Sequence, residues 1–316
     1  MRSLVVFCGL LSACTKAPGA GGAPPDLGSG PGGGTPDGGS GIPGDTTPAA
    51  PPTWSTQFVA ADVALFDQKS SAANQIQFGV ADAMASGGWA GTLLFPGSTI
   101  LGPNDDAGPG FATEIGSKMA TFGYGMYRLR ARLAACAPTE EVVNGLFTFF
   151  NDGVDHDADG IIDNSEIDIE VLCGTPNVLS LTVWTEYTSD TLFKKWTRAV
   201  DLSTGEVFES SAANQFGVVS KGIDPQLAHP SFRGSEQYYE MGFEWEPGYI
   251  RYFIVIDGSE VTLWRFTDKT LIPTLPGGWL FNLWHSNQHW YGPGGSANYP
   301  AKDAMLSLDW ARYWKQ

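Results

Sequence analysis

The stretch that decides the fold is Ser165-Glu166-Ile167-Asp168-Ile169-Glu170-Val171, in which three carboxylates alternate with three branched aliphatic residues. This period of two is typical of a β-strand and not of a helix. One face of such a strand would carry Glu166, Asp168 and Glu170, and the apolar face could pack against a second sheet. Three like charges on one face cost stability, so the pattern favours a carboxylate cluster with a function over a solvated acidic face.

Two carboxylates that face one small volume are the groups that glycosidic bond cleavage requires. One attacks the anomeric carbon, and the other, held protonated, gives its proton to the leaving oxygen. Along a straight strand Glu166 and Glu170 would lie about 13 Å apart, whereas a retaining mechanism needs carboxyl groups about 5–5.5 Å apart. We therefore expect the strand to curve, with a concave acidic face and with Asp168 hydrogen-bonded to one of its neighbours.

Short alternating segments continue along the chain and are separated by Gly, Pro, Asn and Asp. They include residues 127–133, 146–150, 179–187, 249–256, 261–266 and 279–284. No long helical pattern and no internal repeat interrupts them. Several short strands at this spacing predict one all-β sandwich of two sheets over residues 53–316.

The segment Glu166-Ile167-Asp168-Ile169-Glu170 resembles the active-site strand of glycoside hydrolase family 16, the β-jelly-roll glucanases and transglycosylases. Further segments agree in order with that family, over roughly residues 111–316. They are residues 122–130, residues 243–251 with the turn Asp257-Gly258, residues 282–284 and residues 308–313. The last two are most similar to the lichenase branch. The resemblance implies a jelly roll with a concave substrate-binding face.

The resemblance also implies roles for single residues: Glu166 as nucleophile, Glu170 as acid/base, and Asp168 as the residue that orients and tunes Glu166. It places further side chains around these carboxylates: Arg130, Phe147, Phe149, Thr182, Trp184, Asn282 and Trp284. Those that share a strand are two residues apart, as a common face requires. Aromatic rings stack on sugar faces, although core packing is the alternative for any single Trp.

Three positions depart from the pattern of lichenases. Arg128 stands where many relatives have an acid, Thr182 where Asn is frequent, and Asn164 where Trp is frequent. The net charge of −16 argues against nucleic acid and against polyanionic polysaccharides as partners. The prediction is a monomeric, retaining endo-glycosidase that hydrolyses a neutral β-glucan with β-1,3 or mixed β-1,3-1,4 linkages. The alternatives are a transglycosylase, a non-catalytic glycan-binding protein and a calcium-stabilised surface structural protein.

The acidic segment 155–166 fits the twelve-residue calcium-loop pattern at its acidic, glycine and terminal Glu positions. Its twelfth position is Glu166, the expected nucleophile, so we assign a structural Ca²⁺ to the remaining ligands. These are Asp155, Asp157, Asp159, the Ile161 carbonyl and Asp163. A solvated acidic turn is the alternative, but four carboxylates this close repel one another without a counter-ion.

The N-terminus predicts export. Residues 1–14 read as a lipoprotein signal peptide that ends in the lipobox Leu11-Ser12-Ala13-Cys14, with Cys14 acylated; an ordinary cleaved signal peptide is the alternative. Residues 15–52 contain 12 Gly and 9 Pro, so we expect a disordered tether. The predicted location is the bacterial cell envelope, at the outer membrane or cell surface, with membrane contact only through the lipid.

Two cysteines remain in the predicted domain, Cys136 and Cys173. They would pair in an oxidising compartment, unless an intervening strand holds them too far apart.

Overall fold

The computed structural model of the chain describes residues 48–70, 75–97, 113–140, 142–285, 290 and 298–316. Within these residues there are seventeen β-strands and three short 3-10 helices, at Ala60–Leu65, Pro225–Leu227 and Lys269–Leu271. The strands are β1 (Trp54–Thr56), β2 (Phe66–Lys69), β3 (Ile76–Ala81), β4 (Trp89–Phe95), β5 (Thr113–Ser117), β6 (Gly125–Arg132), β7 (Val142–Phe150), β8 (Asp163–Leu172), β9 (Val178–Ser189), β10 (Leu192–Asp201), β11 (Glu206–Ser210), β12 (Val218–Ile223), β13 (Tyr239–Glu246), β14 (Tyr249–Ile256), β15 (Ser259–Phe266), β16 (Gly278–His285) and β17 (Ala304–Lys315).

The strands form two antiparallel sheets. The first sheet has the order β15-β14-β13-β6-β17-β4-β3, with β1 paired to β17. The second sheet has the order β12-β11-β10-β9-β8-β7-β16-β5-β2 and contains the acidic strand near its middle. The prediction of an all-β, two-sheet jelly roll is confirmed. None of the helices among the described residues is long and apolar enough to cross a lipid bilayer.

The core between the sheets follows from strand alternation. Ile167, Ile169 and Val171 of β8 are buried in it, together with residues such as Tyr127 and Leu129 of β6. Because neighbouring side chains on a strand point to opposite faces, the acids of β8 lie on the far side of the second sheet. We call the surface that carries Glu166, Asp168 and Glu170 the carboxylate face.

The prediction that Arg130 lies beside these acids is wrong. Arg130 belongs to β6, which pairs with β13 and β17 in the first sheet. Its side chain alternates with the core residues Leu129 and Ala131 and forms an ion pair with Asp309 of β17. It therefore lies on the opposite surface of the sandwich, together with Arg128 and Arg132. We call the surface that carries these three residues the arginine face.

The remaining sequence predictions about the chain ends and the cysteines have different outcomes. Residues 1–14, with Cys14, and residues 15–47 of the predicted tether lie outside the described residues. The carbonyl of Ala50, near the end of that tether, accepts a hydrogen bond from Trp314 Nε1 at 2.7 Å. Cys136 and Cys173 form a disulfide, with their Cα atoms 5.1 Å apart, and so connect the segment after β6 to the end of β8.

The free edge of the second sheet is irregular. β12 has one more residue than β11 in the pairing between Val207 opposite Gly222 and Phe208 opposite Ser220. The extra residue is Lys221, and Gly222 adopts a φ of 98°, a conformation that glycine accepts without strain. This arrangement is a β-bulge.

Candidate active site

The carboxylate face is built by strand register. Glu166 lies opposite Phe149 of β7 and Trp184 of β9, and Asp168 lies opposite Phe147 and Thr182 on the same two strands. Directly opposed residues of neighbouring strands share a face. The structure therefore brings the two phenylalanines, Thr182 and Trp184 together around the acids.

Asn282 and Trp284 of β16 complete this set from the other side of β7. Asn282 lies opposite Gly145, which in turn lies opposite Glu170. A Cβ atom at Gly145 would be 2.2 Å from Asn282 Oδ1, so the amide packs directly on the glycine backbone. The Asn282 Nδ2 group donates to Glu114 of β5 at 3.2 Å. Asn282 and Thr182 are buried, whereas the phenylalanines and both tryptophans are half-buried and line the surface.

Each acid has its own hydrogen-bond donor. Asn164 Nδ2 donates to Glu166 Oε2 at 2.7 Å, and Trp184 Nε1 donates to Asp168 Oδ2 at 3.1 Å. The indole of Trp284 donates to Glu170. Asp168 and Glu166 are also hydrogen-bonded to each other; the bond lowers the pKa of Glu166 and raises that of Asp168. This bond favours the ionised form of Glu166 and the protonated form of Asp168.

Burial raises the pKa of all three acids, because a carboxylate loses its hydration inside the protein. Burial, with the charge of Glu170 adding to it, raises the pKa of Glu166 to about 8. Burial raises the pKa of Glu170 to about 7, and the nearby Lys195 ammonium opposes that rise. Burial and the charges of both glutamates raise the pKa of Asp168 well above its ordinary value. Neighbouring buried acids whose pKa values are raised in this way are typical of a catalytic site.

Lys195 and Phe216 are not among the predicted site residues. The ammonium of Lys195 lies 4.7 Å from the centroid of the Trp184 ring and 4.5 Å from that of the Phe216 ring. Lys195 belongs to β10, a strand that the alternation did not identify. The available signal was a turn at Ser189-Asp190 followed by ten residues without Gly or Pro. The hydrogen bond from Asn164 to Glu166 was also not predicted, although Asn164 was noted as a departure from the family.

The acidic loop before β8 keeps part of the predicted metal-ligand set together. Carboxylate oxygens of Asp155, Asp157 and Asp159 lie within 4.8 Å of one another, a donor set that suits a hard cation such as Ca²⁺. Asp163 does not join this group, and that part of the prediction is corrected: its carboxylate accepts a hydrogen bond from the His156 backbone N–H instead.

Two contacts limit the ligand set further. Lys194 Nζ donates to Asp159 Oδ2 at 2.6 Å, and this ammonium already offsets one of the three negative charges. Glu166 is buried and hydrogen-bonded to Asn164 on the carboxylate face, in agreement with its exclusion from the ligand set.

Comparison with known proteins gives a clear answer for the fold alone. No family model matches the chain, and no curated protein matches its sequence. Solved structures do match: the laminarinase from Rhodothermus marinus has 16% sequence identity and a TM-score of 0.53, with 84% of this chain and 97% of that chain covered. The laminarinase catalytic domain from Thermotoga maritima has 12% identity and a TM-score of 0.50, with 84% and 98% covered.

A third similar structure is the catalytic domain of an endo-1,3-β-glucanase (laminarinase) from Thermotoga petrophila, at 12% identity and a TM-score of 0.50, with 84% and 97% covered. The chain therefore has a fold like that of the family 16 glycoside hydrolases, as the resemblance predicted. Identities this low carry the fold and not the activity.

Proposed function

We propose that the chain is a retaining endo-glycosidase that hydrolyses a neutral β-glucan with β-1,3 or mixed β-1,3-1,4 linkages. The observation that carries the proposal is the buried set of Glu166, Asp168 and Glu170 on one face, with raised pKa values. The shared fold with laminarinases supports the choice of substrate class, and the net charge of −16 agrees with a neutral polymer.

In the first step the Glu166 carboxylate attacks the anomeric carbon while the glycosidic C–O bond breaks. The proton of Glu170 moves to the leaving oxygen, and a covalent glycosyl-enzyme remains. In the second step a water molecule gives a proton to Glu170 and its oxygen attacks the same carbon. Glu166 then leaves as a carboxylate, and the product keeps the original configuration.

The pKa of Glu166 lies above that of Glu170 in the free protein, whereas the first step needs Glu166 ionised and Glu170 protonated. The hydrogen-bond donors around Glu166 favour its ionised form, which the first step requires. Glu166 accepts from both Asn164 and the protonated Asp168, and two donors on one carboxylate favour its charged form. We therefore assign Glu166 as the nucleophile and Glu170 as the acid on the basis of these donors.

The half-buried rings around the acids would bind the sugar units. Phe147, Phe149, Trp184 and Trp284 offer faces on which the apolar C–H faces of glucose can stack. Asn282 packs on Gly145 and donates a hydrogen bond to Glu114, so its position is fixed. We assign it one hydrogen bond to a sugar hydroxyl.

The test compares two variants. Glu170→Ala should lose about 10²–10⁴-fold of its activity on glucan, but much less on an aryl glycoside whose leaving group needs no proton. Glu166→Ala should lose turnover of both substrates. Azide should restore activity to each variant, with the inverted anomer from Glu166→Ala and the retained anomer from Glu170→Ala. Circular dichroism of each variant checks that it is folded.

Four outcomes would contradict the proposal or change it. Wild-type activity in either variant, or the reverse azide stereochemistry, would refute the assigned roles. A folded wild type that binds glucans and cleaves none would favour a glycan-binding protein. Transfer to an added acceptor sugar in place of water would favour a transglycosylase, and product analysis on β-1,3, β-1,4 and mixed-linkage glucans detects this.

We also propose that the protein is a lipoprotein of the bacterial cell envelope. The support is the lipobox that ends at Cys14 and the Gly- and Pro-rich segment that follows it. Cys14→Ser should move the protein from the membrane fraction to the soluble fraction. Mass spectrometry of a wild type without acylation would refute the proposal.

A further inference from the structure

Lys195 lies in one row with Glu166, the first acid of the site. β10 places it opposite Trp184 of β9, and Trp184 lies opposite Glu166 of β8. Neighbouring strands are about 4.8 Å apart, and directly opposed residues share a face. The register therefore places the lysine on the carboxylate face, two strands away from the acids.

The surroundings of this lysine are unusual for a cation. Its side chain is only 8% exposed, and its ammonium lies against the rings of Trp184 and Phe216. Burial of an ammonium costs free energy unless opposite charge is close. The carboxylate face supplies that charge, because the ammonium acts on Glu166, Asp168 and Glu170 and favours the ionised form of each.

The ammonium of Lys195 balances the charge of the three acids in one protonation state. If Asp168 and Glu170 keep their protons and Glu166 is ionised, one negative charge faces one ammonium and the cluster is neutral. That state is the one that the first step of the proposed reaction needs. Along the row of Glu170, the next charged residues are Glu114 and Lys69, which lie opposite each other on β5 and β2. They have opposite signs and do not change the balance.

We propose that Lys195 is a positioning residue of the site: its ammonium holds the Trp184 ring beside the acids and keeps the three-carboxylate cluster at a single negative charge. The proposal rests on the proposed function only for its effect on turnover. Its electrostatic part concerns the protein without substrate. A hydrogen bond from Trp184 Nε1 to Asp168 Oδ2, at 3.1 Å, connects the ring under the lysine to the acid that donates to Glu166.

The neighbouring lysine offers a matched control. Lys194 precedes Lys195 on β10, but its ammonium donates to Asp159 at 2.6 Å and to Glu186 at 2.8 Å, at the acidic loop. Lys194→Met and Lys195→Met therefore remove the same charge from adjacent positions of one strand. Only the second removes it from the carboxylate face.

The experiment titrates the side-chain carboxyl carbons of ¹³C-labelled Glu and Asp in the full chain by NMR. Lys195→Met should raise the titration midpoints of Glu166 and Glu170 by about one pH unit or more, because the carboxylates lose their counter-charge. Lys194→Met should leave them at the wild-type values, and Lys195→Arg should return them close to those values. The bell-shaped pH profile of kcat/KM should move to higher pH by the same amount in Lys195→Met alone.

The outcomes separate this inference from the proposed function. A wild type that cleaves no glucan refutes the function, and the carboxyl titration still decides the electrostatic role of Lys195. Unchanged midpoints in Lys195→Met overturn the inference. Shifted midpoints with an unmoved pH profile overturn its effect on turnover.

If Lys195→Met does not fold, a reciprocal measurement needs no change at this position. The pKa of Lys195, followed through its labelled side chain, should fall in Glu166→Gln because a carboxylate charge is lost. An unchanged pKa of Lys195 overturns the inference.

Discussion

Two strands of this molecule carry charged residues at alternate positions, and the charges of the two strands have opposite signs. β6 presents Arg128, Arg130 and Arg132 at alternate positions on the arginine face, and β8 presents three acids at alternate positions on the carboxylate face. Both rows lie on the surfaces of the sandwich that face away from the shared core. Both place like charges about 7 Å apart along a strand, which is unfavourable without partners.

The partners make the difference. Arg128 forms ion pairs with Glu240 and with Glu260, and Glu260 also pairs with Arg251, so the first arginine of the row has two acids beside it. The other two pair separately with acids from different segments: Arg130 with Asp309 and Arg132 with Asp82.

The three acids of β8 instead share the charge of Lys195, and their pKa values rise. A charge row with individual partners stabilises structure, whereas a charge row with one shared partner keeps protons available for chemistry.

The largest effect on stability is expected on the arginine face. The side chains of Arg128 and Glu260 are 2% and 1% exposed, and Glu260 also pairs with Arg251, so Arg128→Met leaves one arginine instead of two beside these buried acids. We expect a loss of about 3–5 kcal/mol in the free energy of unfolding, measured in urea. The kcat of the folded variant should equal that of the wild type. A large loss of kcat with intact stability would remove the contrast between the two faces.

The disulfide between Cys136 and Cys173 connects the chain after the arginine row to the end of the acid row. Replacement of both cysteines by serine releases a loop whose ends are 37 residues apart, and should cost about 3–4 kcal/mol. Reduced wild type should unfold at the same urea concentration as the variant. Reactive thiols at both Cys136 and Cys173, located by peptide mapping of the unreduced, unfolded wild type, would show that the bond is absent.

Removal of a charged group from the carboxylate face should instead increase the free energy of unfolding. The folded pKa of Glu166 is raised, so its contribution to stability is complete below about pH 4.5 and is lost as the pH rises towards 8. Glu166→Gln removes that loss and should be more stable than the wild type by on the order of 2 kcal/mol above pH 8, but not at pH 4. Urea unfolding at both pH values measures this difference in stability, and Glu209→Gln on β11 is the control. Equal stability at pH 8.5 would contradict the raised pKa.

The smallest effect is expected at the exposed acids of the loop before β8. If Asp155, Asp157 and Asp159 bind Ca²⁺, EDTA should lower the Tm by about 2–4 °C, as the loss of about 1 kcal/mol would. Asp157→Ala should show the lower Tm with and without EDTA. Identical melting curves of the wild type with and without chelator would refute Ca²⁺ binding. Lys194 would then be the cation that offsets the negative charge of this loop.

Sequence reasoning could predict the fold and the acid row because both depend on local alternation. The alternation of β8 gives the strand and its two faces, and the order of the neighbouring motifs supports the jelly roll. It could not predict the position of Arg130, because a period of two shows which residues share a face but not which sheet the strand joins. The same limit explains why Lys195 was missed: its neighbours Trp184 and Glu166 are set by long-range register between strands.

The bulge on β12 affects how the molecule behaves when copies crowd together. Val219 and Ile223 of this edge strand are 51% and 68% exposed, and an open, apolar strand edge can pair with another chain. The extra residue, Lys221, interrupts the regular spacing of backbone donors and acceptors and adds a charge. An incoming strand therefore meets a kinked edge on which a continuous ladder cannot form. We therefore expect the inserted lysine to hinder pairing of this edge with a second chain at high local density.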